Sequence, residues 1–259
     1  MCIIMLVMGN EGIKFICGKP ALLCNDALVI ADIHIGIERE FNYKGIRIGS
    51  MVESIRQELL QLIEEEKPKQ LILLGDVKHT IVGEEQPDLL SLRNLLAELS
   101  GYVEVVVIPG NHDAGIHAVG NATVVSSKGI VIGDIGLAHG HTWPEPHVMN
   151  SEYLVVGHAH PCVEFIDSNG YSAIERIWEI AEADKETLLE RYPDANESIK
   201  LVVMPAFNTL AGGTPVNRGS RKNMLGPLFK SGIFKLDGGQ IFLLDGTALG
   251  SVASMPRYK

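Results

Sequence analysis

Cysteine is scarce in this chain. There are four in 259 residues, Cys2, Cys17, Cys24 and Cys162, and no two stand in a CxxC pair. That gives no sign of a disulfide framework, so four buried or half-buried thiols in a reducing cytoplasm are expected. Basic residues are also in short supply. Lys and Arg number 22 against 32 Asp and Glu, a formal net charge of −10. This argues against a broad electrostatic grip on nucleic acid. It leaves room for a local one, because bound cations would be the largest charges in a site. Long apolar runs are missing too. Cys2 to Met8 is too short to cross a bilayer and has neither a basic leader nor a small-residue cleavage site, so it reads as a buried first strand. No internal repeat or low-complexity segment is present. What remains is an ordinary globular composition, 46% hydrophobic and 21% charged, with length enough for a substantial core.

The first 160 residues alternate strand and helix patterns. Ala27–Ala31, Leu71–Leu74, Val103–Ile108, Ile130–Ile132, Ile135–Ala138 and Leu154–Val156 are short, largely apolar runs without alternation, as expected of strands buried on both faces. Ser50 and Glu53 read as a capping box ahead of a helix with Val52, Ile55, Leu59 and Leu62 on one face. Leu89, Leu92, Leu96 and Leu99 mark a second helix. This alternation implies an α/β core with helices covering the sheets. After Pro161 the pattern changes. Arg176 to Tyr192 reads as a helix with a restart at Asp184, and Leu201–Met204 as a strand. Phe207 to Arg221 reads as a loop, 232–236 and 240–244 as a hairpin, and the tail after Ser251 as disordered. The whole is read as a single domain over 1–259, with a motif-bearing core at 1–160 and a C-terminal part at 161–259 that completes it.

Five motifs place metal-ligand residues at the ends of apolar runs: Asp32-Ile33-His34, Gly75-Asp76, Gly110-Asn111-His112-Asp113, His139-Gly140-His141 and Gly157-His158-Ala159-His160. In α/β folds ligands gather beyond the carboxyl ends of strands, where these residues fall. Two carboxylates, a carboxamide and several imidazoles form a donor set for two divalent cations, and hydrolysis of a phosphate ester is the reaction such a centre serves. Taken alone, a His at a strand end or an Asp after Gly is an ordinary surface or turn residue. The joint occurrence in this order makes the motifs specific. His117 and His147 match no motif and read as structural or exposed.

On these motifs the chain resembles the calcineurin-like metallophosphoesterases, the superfamily of purple acid phosphatases and SbcD-type nucleases. The strings DIHIG from Asp32, LGDVKH from Leu74 and PAFNTLAGGTPVN from Pro205 resemble the SbcD-related archaeal phosphoesterases. They are also similar to the bacterial ligase-associated DNA-damage-response phosphoesterase encoded beside a helicase. The resemblance implies a sandwich of two central mixed β-sheets flanked by α-helices. It implies one cation on Asp32, His34, Asp76 and His160 and a second on Asp76, Asn111, His139 and His158, with Asp76 bridging. In His139-Gly140-His141 either imidazole could be the ligand, and the family pattern favours His139.

His112 is the implied catalytic residue, protonating the leaving oxygen, with Asp113 expected to orient its ring. Lys78, His79 and His141 are candidate substrate contacts. The implied cations are manganese, or iron, zinc, cobalt or nickel. The implied reaction is phosphodiester hydrolysis by metal-activated hydroxide, on DNA or RNA, with a helicase or DNA-repair protein as partner and no membrane. The rivals are a small-molecule or nucleotide phosphatase and a non-catalytic scaffold, the latter disfavoured because every ligand and His112 are present. Arg218, Arg221 and Lys222 form a local basic cluster that reads first as a solvated loop. Phe207, Asn208 and Asn217 are expected near the metal edge. Trp143 is expected to pack rather than to stack on a base.

Overall fold

The computed structural model describes residues 7–8, 12–79, 86–218 and 225–258. Two mixed sheets lie face to face. The first holds, in spatial order, β1 (Val7–Met8), β2 (Ile13–Phe15), β3 (Ala21–Cys24), β4 (Ala27–Ile30), β5 (Gln70–Leu74), β6 (Glu104–Ile108) and β7 (Thr123–Val124). β1 to β4 pair antiparallel; β4 to β7 pair parallel. The second sheet is built from β8 (Ile130–Ile132), β9 (Ile135–Leu137), β10 (Tyr153–Val156), β11 (Pro161–Ile166), β12 (Ser172–Glu182), β13 (Lys200–Val203) and β14 (Thr214–Pro215). Their order is β14-β11-β12-β13-β10-β9-β8. β15 (Gln240–Leu243) branches from β12, and β16 (Ala248–Ser251) pairs with β15. β9, β10 and β13 run parallel.

Burial follows the layers. Between the sheets, Leu22, Val29, Ile72, Leu74 and Ile108 meet Leu137, Val155, Trp178, Val202 and Met204. On the outer face of the first sheet, α2 (Val52–Glu66) and α3 (Gln86–Leu99) lay down Ile55, Leu59, Leu62, Leu92, Leu96 and Leu99. The leucine stripes are therefore core. On the outer face of the second sheet, α4 (Lys185–Arg191) and α5 (Pro227–Lys230) contribute Leu188, Leu228 and Phe229. A short α1 (Glu38–Tyr43) follows the first motif. Among the described residues no helix is long and apolar enough to cross a membrane.

Several expectations need correction. The Ser50–Glu53 capping box does not form: Met51 is the N-cap, and the Glu53 carboxylate is taken by Arg56 and Gln57. The reading of Arg176–Tyr192 as a helix fails over its first half, which lies in β12. Ile177, Trp178, Ile180 and Ala181 are buried there, flanked by β13 and β15, so tertiary pairing decides a segment with no clear period. The restart at Asp184 does form. The hairpin expected across 237–239 is displaced to β15–β16, while Leu236–Gly238 makes a 3₁₀ turn. The tail is ordered: Val252 is buried and Tyr258 N–H bonds Asn217 O. Cys24 and Cys162 are buried free thiols, whereas Cys17 is disulfide-bonded. The first strand is described only at β1, and Arg221 and Lys222 lie outside the described residues.

Asp184 caps α4 by accepting from the Thr187 N–H (3.1 Å) and hydroxyl (2.9 Å). The Thr187 N–H bond leads in holding its carboxyl below the ordinary carboxylate range. A depressed folded-state pKa contributes stability above the unfolded value and loses it as pH falls through the folded one. Asp184→Ala should lower the thermal midpoint at pH 7, and the gap from wild type should close below about pH 4. Circular dichroism melts across that range measure it.

Candidate metal centre

The five motifs end up together because each follows a parallel strand. Asp32 comes just after β4, Asp76 after β5, Asn111 and His112 after β6, His139 after β9, and His158 and His160 after β10. With the sheets facing each other, the first three loops and the last two meet over one edge of the sandwich. The backbone turns hard at these points. Asp32, His34, Asp76, His158 and His160 all have positive φ, between 41° and 66°. They are five of the eight non-glycine residues in that region among those described. Each costs about 1 kcal/mol or more and persists only where its surroundings over-determine it. The surroundings are visible. Asp32 and His34 N–H groups donate to Gly75 O (3.2 Å) and Asp76 O (2.9 Å), and Ile35 N–H to Val77 O (2.9 Å). From the far side Asn208 Nδ2 donates to Ile33 O at 2.9 Å.

Two glycines permit the close approach. A Cβ on Gly75, whose φ is +79°, would lie 2.2 Å from His139 Nδ1. A Cβ on Gly110 would lie 2.2 Å from Asp76 Oδ1. The glycines preceding the ligands are therefore steric requirements of the cluster.

Three sets of donor atoms lie within 4.8 Å of one another: Asp32, His34 and His160; Asp76, His139 and His158; and His34, His79 and His112, the last without a carboxylate. Asp76 stands at their junction. Its Oδ2 is 3.4 Å from His139 Nε2, 3.8 Å from His34 Nε2 and 3.9 Å from His112 Nε2. His160 Nε2 is 3.3 Å from Asp32 Oδ1. Asp32 Oδ1, His34 Nε2, His139 Nε2 and His160 Nε2 are buried and lack a hydrogen-bond partner. Buried polar atoms are rarely left so. Convergent oxygen and imidazole donors with unused lone pairs fit divalent cations.

Hydrogen bonds orient the rings. His139 Nδ1 lies 2.9 Å from Leu74 O. A carbonyl only accepts, so Nδ1 carries a proton and Nε2 is the nitrogen turned to Asp76. His112 Nδ1 likewise donates to His79 O. Asp113 does not orient that ring. Its carboxylate accepts from the N–H groups of Val77 (2.9 Å), Lys78 (3.1 Å) and Gly110 (2.8 Å), tying the second motif to the third. Backbone donors from two neighbouring strand ends had reached it first.

Charge is arranged to match. Burial pushes His34, His158 and His141 down to about 4, keeping them neutral. Burial opposes charge on His139 as well, but Asp76 and Asp32 outweigh it and hold its pKa at about 9. Burial would raise Asp32 and Asp76; the surrounding imidazoles, His160 and His139 foremost, instead depress both. Burial raises Asp113.

A cavity of about 390 Å³ opens on the cluster, lined by His34, Asp76, Asn111, His112, His158 and His160. Its other wall is Ala211, Gly213–Val216, Arg218 and Leu225. That wall was only partly foreseen, from the string after Pro205. None of the three candidate substrate contacts lines this cavity. Lys78 is buried, His79 turns its ring to His34 and Glu40, and His141 sits one ring beyond His139 (centroids 5.2 Å). Arg218, at the rim, lies 3.5 Å from Glu164. Asn208 reaches the first motif, but Asn217 is pinned to Glu164 and Pro256. Trp143 packs under Arg191, 3.5 Å from ring centre to guanidinium. His117 and His147 are exposed.

A two-sheet α/β sandwich with two ionised carboxylates ringed by imidazoles at its strand ends defines a metal-dependent hydrolase of phosphate esters. The chain belongs to the calcineurin-like phosphoesterase family, whose profile matches residues 27–221. It is similar in fold to the nuclease MPE of Pseudomonas putida, with a TM-score of 0.59 and 22% identity over 93% of this chain and 98% of that one. The E. coli phosphoesterase Yfce aligns with a TM-score of 0.42 and 16% identity over 88% and 98% of the two chains. No curated protein sequence matches.

Proposed function

We propose that this protein hydrolyses phosphodiester bonds in nucleic acid at a binuclear centre. One cation is held by Asp32, His34, Asp76 and His160, the other by Asp76, Asn111, His139 and His158, with Asp76 shared. The observation that carries this reading is the pair of buried donor clusters meeting at Asp76, with orphaned lone pairs on both sides. His139 is chosen over His141 because its Nε2 lies 3.4 Å from Asp76 Oδ2. Manganese is the cation the family resemblance implies; the mixed oxygen and nitrogen donors equally accommodate iron, zinc, cobalt or nickel. The choice of nucleic acid rests on the resemblance to SbcD-related phosphoesterases. The cavity, with Arg218 at its rim beside apolar Leu225 and Val216, suits a phosphate joined to a larger group. A helicase or repair partner follows from the same resemblance.

When bound, the two cations would supply Lewis-acid activation of a water and of the phosphoryl group. The chain does the rest. Asp32 and Asp76 stay ionised, giving a negatively charged floor that draws cations. His112, fixed at Nδ1 by His79 O, directs Nε2 toward Asp76 and the cavity, where a proton on Nε2 can pass to the leaving oxygen. His112→Ala should retain both cations and lose roughly 10²–10⁴-fold in kcat. Manganese content by atomic emission and steady-state kinetics check both halves.

The test of the whole reading is hydrolysis by metal-stripped protein with manganese restored, on bis-p-nitrophenyl phosphate, p-nitrophenyl phosphate and labelled single- and double-stranded DNA and RNA. Manganese-dependent cleavage of diester and polymer supports it. The −10 net charge favours a rival, a phosphatase or phosphodiesterase for small molecules or nucleotides. Monoester turnover alone, or polymer binding indifferent to salt, would establish that rival.

A further inference from the structure

The hydrogen bonds around His79 form a chain that ends on a cation ligand. Its outer end is Glu40, on α1. Glu40 Oε1 is held by Lys44, leaving Oε2 to face His79 Nε2 at 3.0 Å. At the inner end His79 Nδ1 lies 3.3 Å from His34 Nδ1. With His79 as a neutral ring, bond logic then fixes every proton. An ionised carboxylate can only accept, so His79 Nε2 carries the hydrogen. A neutral ring with Nε2–H has a bare Nδ1, which can only accept, so His34 must donate from Nδ1. His34 Nε2 is then left bare, 3.8 Å from Asp76 Oδ2 and with no other partner.

We propose that Glu40 and His79 form a positioning relay that holds His34 in the one tautomer able to ligate a cation through Nε2. The same residue sets the neighbouring ring. The His79 carbonyl accepts from His112 Nδ1, and its imidazole stacks on that of His112 with centroids 5.4 Å apart and planes 18° apart. One residue thus orients a ligand with its side chain and the proposed acid with its backbone. Outer partners of ligating imidazoles commonly do this, and their loss costs about 10–100-fold in metal affinity. The inference rests on His34 being a cation ligand, as assigned above.

His79→Leu removes the acceptor. His79→Gln keeps it, since an amide oxygen can accept from His34 while its NH₂ donates to Glu40. Glu40→Gln, at a half-exposed site, breaks the directional logic without touching the core. Manganese titration by calorimetry should show two equivalents in wild type. One of them should weaken about 10–100-fold in His79→Leu, less in Glu40→Gln, and recover in His79→Gln. Nitrogen-15 spectra of the metal-free protein should show His34 as the Nδ1–H tautomer, becoming mixed in His79→Leu.

Unchanged affinity and tautomer in both His79→Leu and Glu40→Gln would overturn the relay. So would three equivalents in wild type falling to two in His79→Leu, because His79 would then be a ligand itself: His34, His79 and His112 also hold donor atoms within 4.8 Å. A wild type that binds no cation would instead sink the proposed function. The metal-free tautomer would still judge the hydrogen-bond chain.

Discussion

Gly75→Ala is expected to abolish cation binding and hydrolysis together. The added Cβ would sit 2.2 Å from His139 Nδ1 and 2.7 Å from His139 Cβ. His139 has nowhere to go. It is fully buried, its Nδ1 is bonded to Leu74 O, and its Nε2 lies against Asp76. Overpacking of this kind costs about 1–3 kcal/mol, and the positive φ adds about 1 kcal/mol more. The ring must rotate away from Asp76 for the chain to fold at all. Activity should fall at least about 100-fold, as when a transition-state donor is lost, and manganese content should drop with it. Gly18→Ala is the matched control. Its φ is +72°, but a Cβ there meets nothing within 4 Å. That variant should carry the backbone strain alone, with a slightly lower thermal midpoint and unchanged turnover. Equal activity in the two variants would mean that close packing of His139 on the second motif does not matter.

Asp76→Asn should empty the centre, whereas Asp32→Asn should spare half of it. The two carboxylates look alike in sequence but differ in position. Asp32 belongs to one donor group, while Asp76 belongs to the other and also faces His34. Asn preserves shape and removes the charge that draws two cations to one oxygen pair. The backbone would tolerate it, since Asn accepts a positive φ more readily than most residues. Equilibrium dialysis against manganese should therefore give close to no bound cation for Asp76→Asn and close to one for Asp32→Asn. Hydrolysis should fall by at least about 10³-fold in the first, because both metal roles are lost at once. Two tightly held cations in Asp76→Asn would show that the sharing carboxylate has been misassigned.

The sequence was most readable where burial was most complete. Parallel strands covered on both faces become unbroken apolar runs, so the polar residue that ends each one is conspicuous. That is why Asp32, Asp76, Asn111, His139 and His158 could be picked out and an α/β core covered by helices anticipated; the division into two mixed sheets came from the family resemblance. Reading became harder where a strand is defined by its neighbours. The stretch from Arg176 to Glu182 is a strand because β13 and β15 flank it, and those partners begin 18 and 58 residues after Glu182. The functions of Asp113 and His79 were hidden for a related reason. Their partners, Val77 and Lys78 for one and His34 and Glu40 for the other, lie about 35 to 45 residues away in the chain. Adjacent residue types suggested an Asp–His pair at 112–113, and only the fold shows that the carboxylate is already fully engaged by backbone N–H groups.

Asn208 and β13 bear on how the molecule comes into being. Every proposed ligand has been synthesised once residue 160 leaves the ribosome. At that moment β10, which carries His158 and His160 at its end, still lacks its parallel neighbour at 200–203. The turn through Ile33 and His34 also still lacks the amide of Asn208 that closes over it. The nascent chain thus carries all its proposed metal donors for the time needed to make some fifty more residues before the neighbours that hold those turns are present.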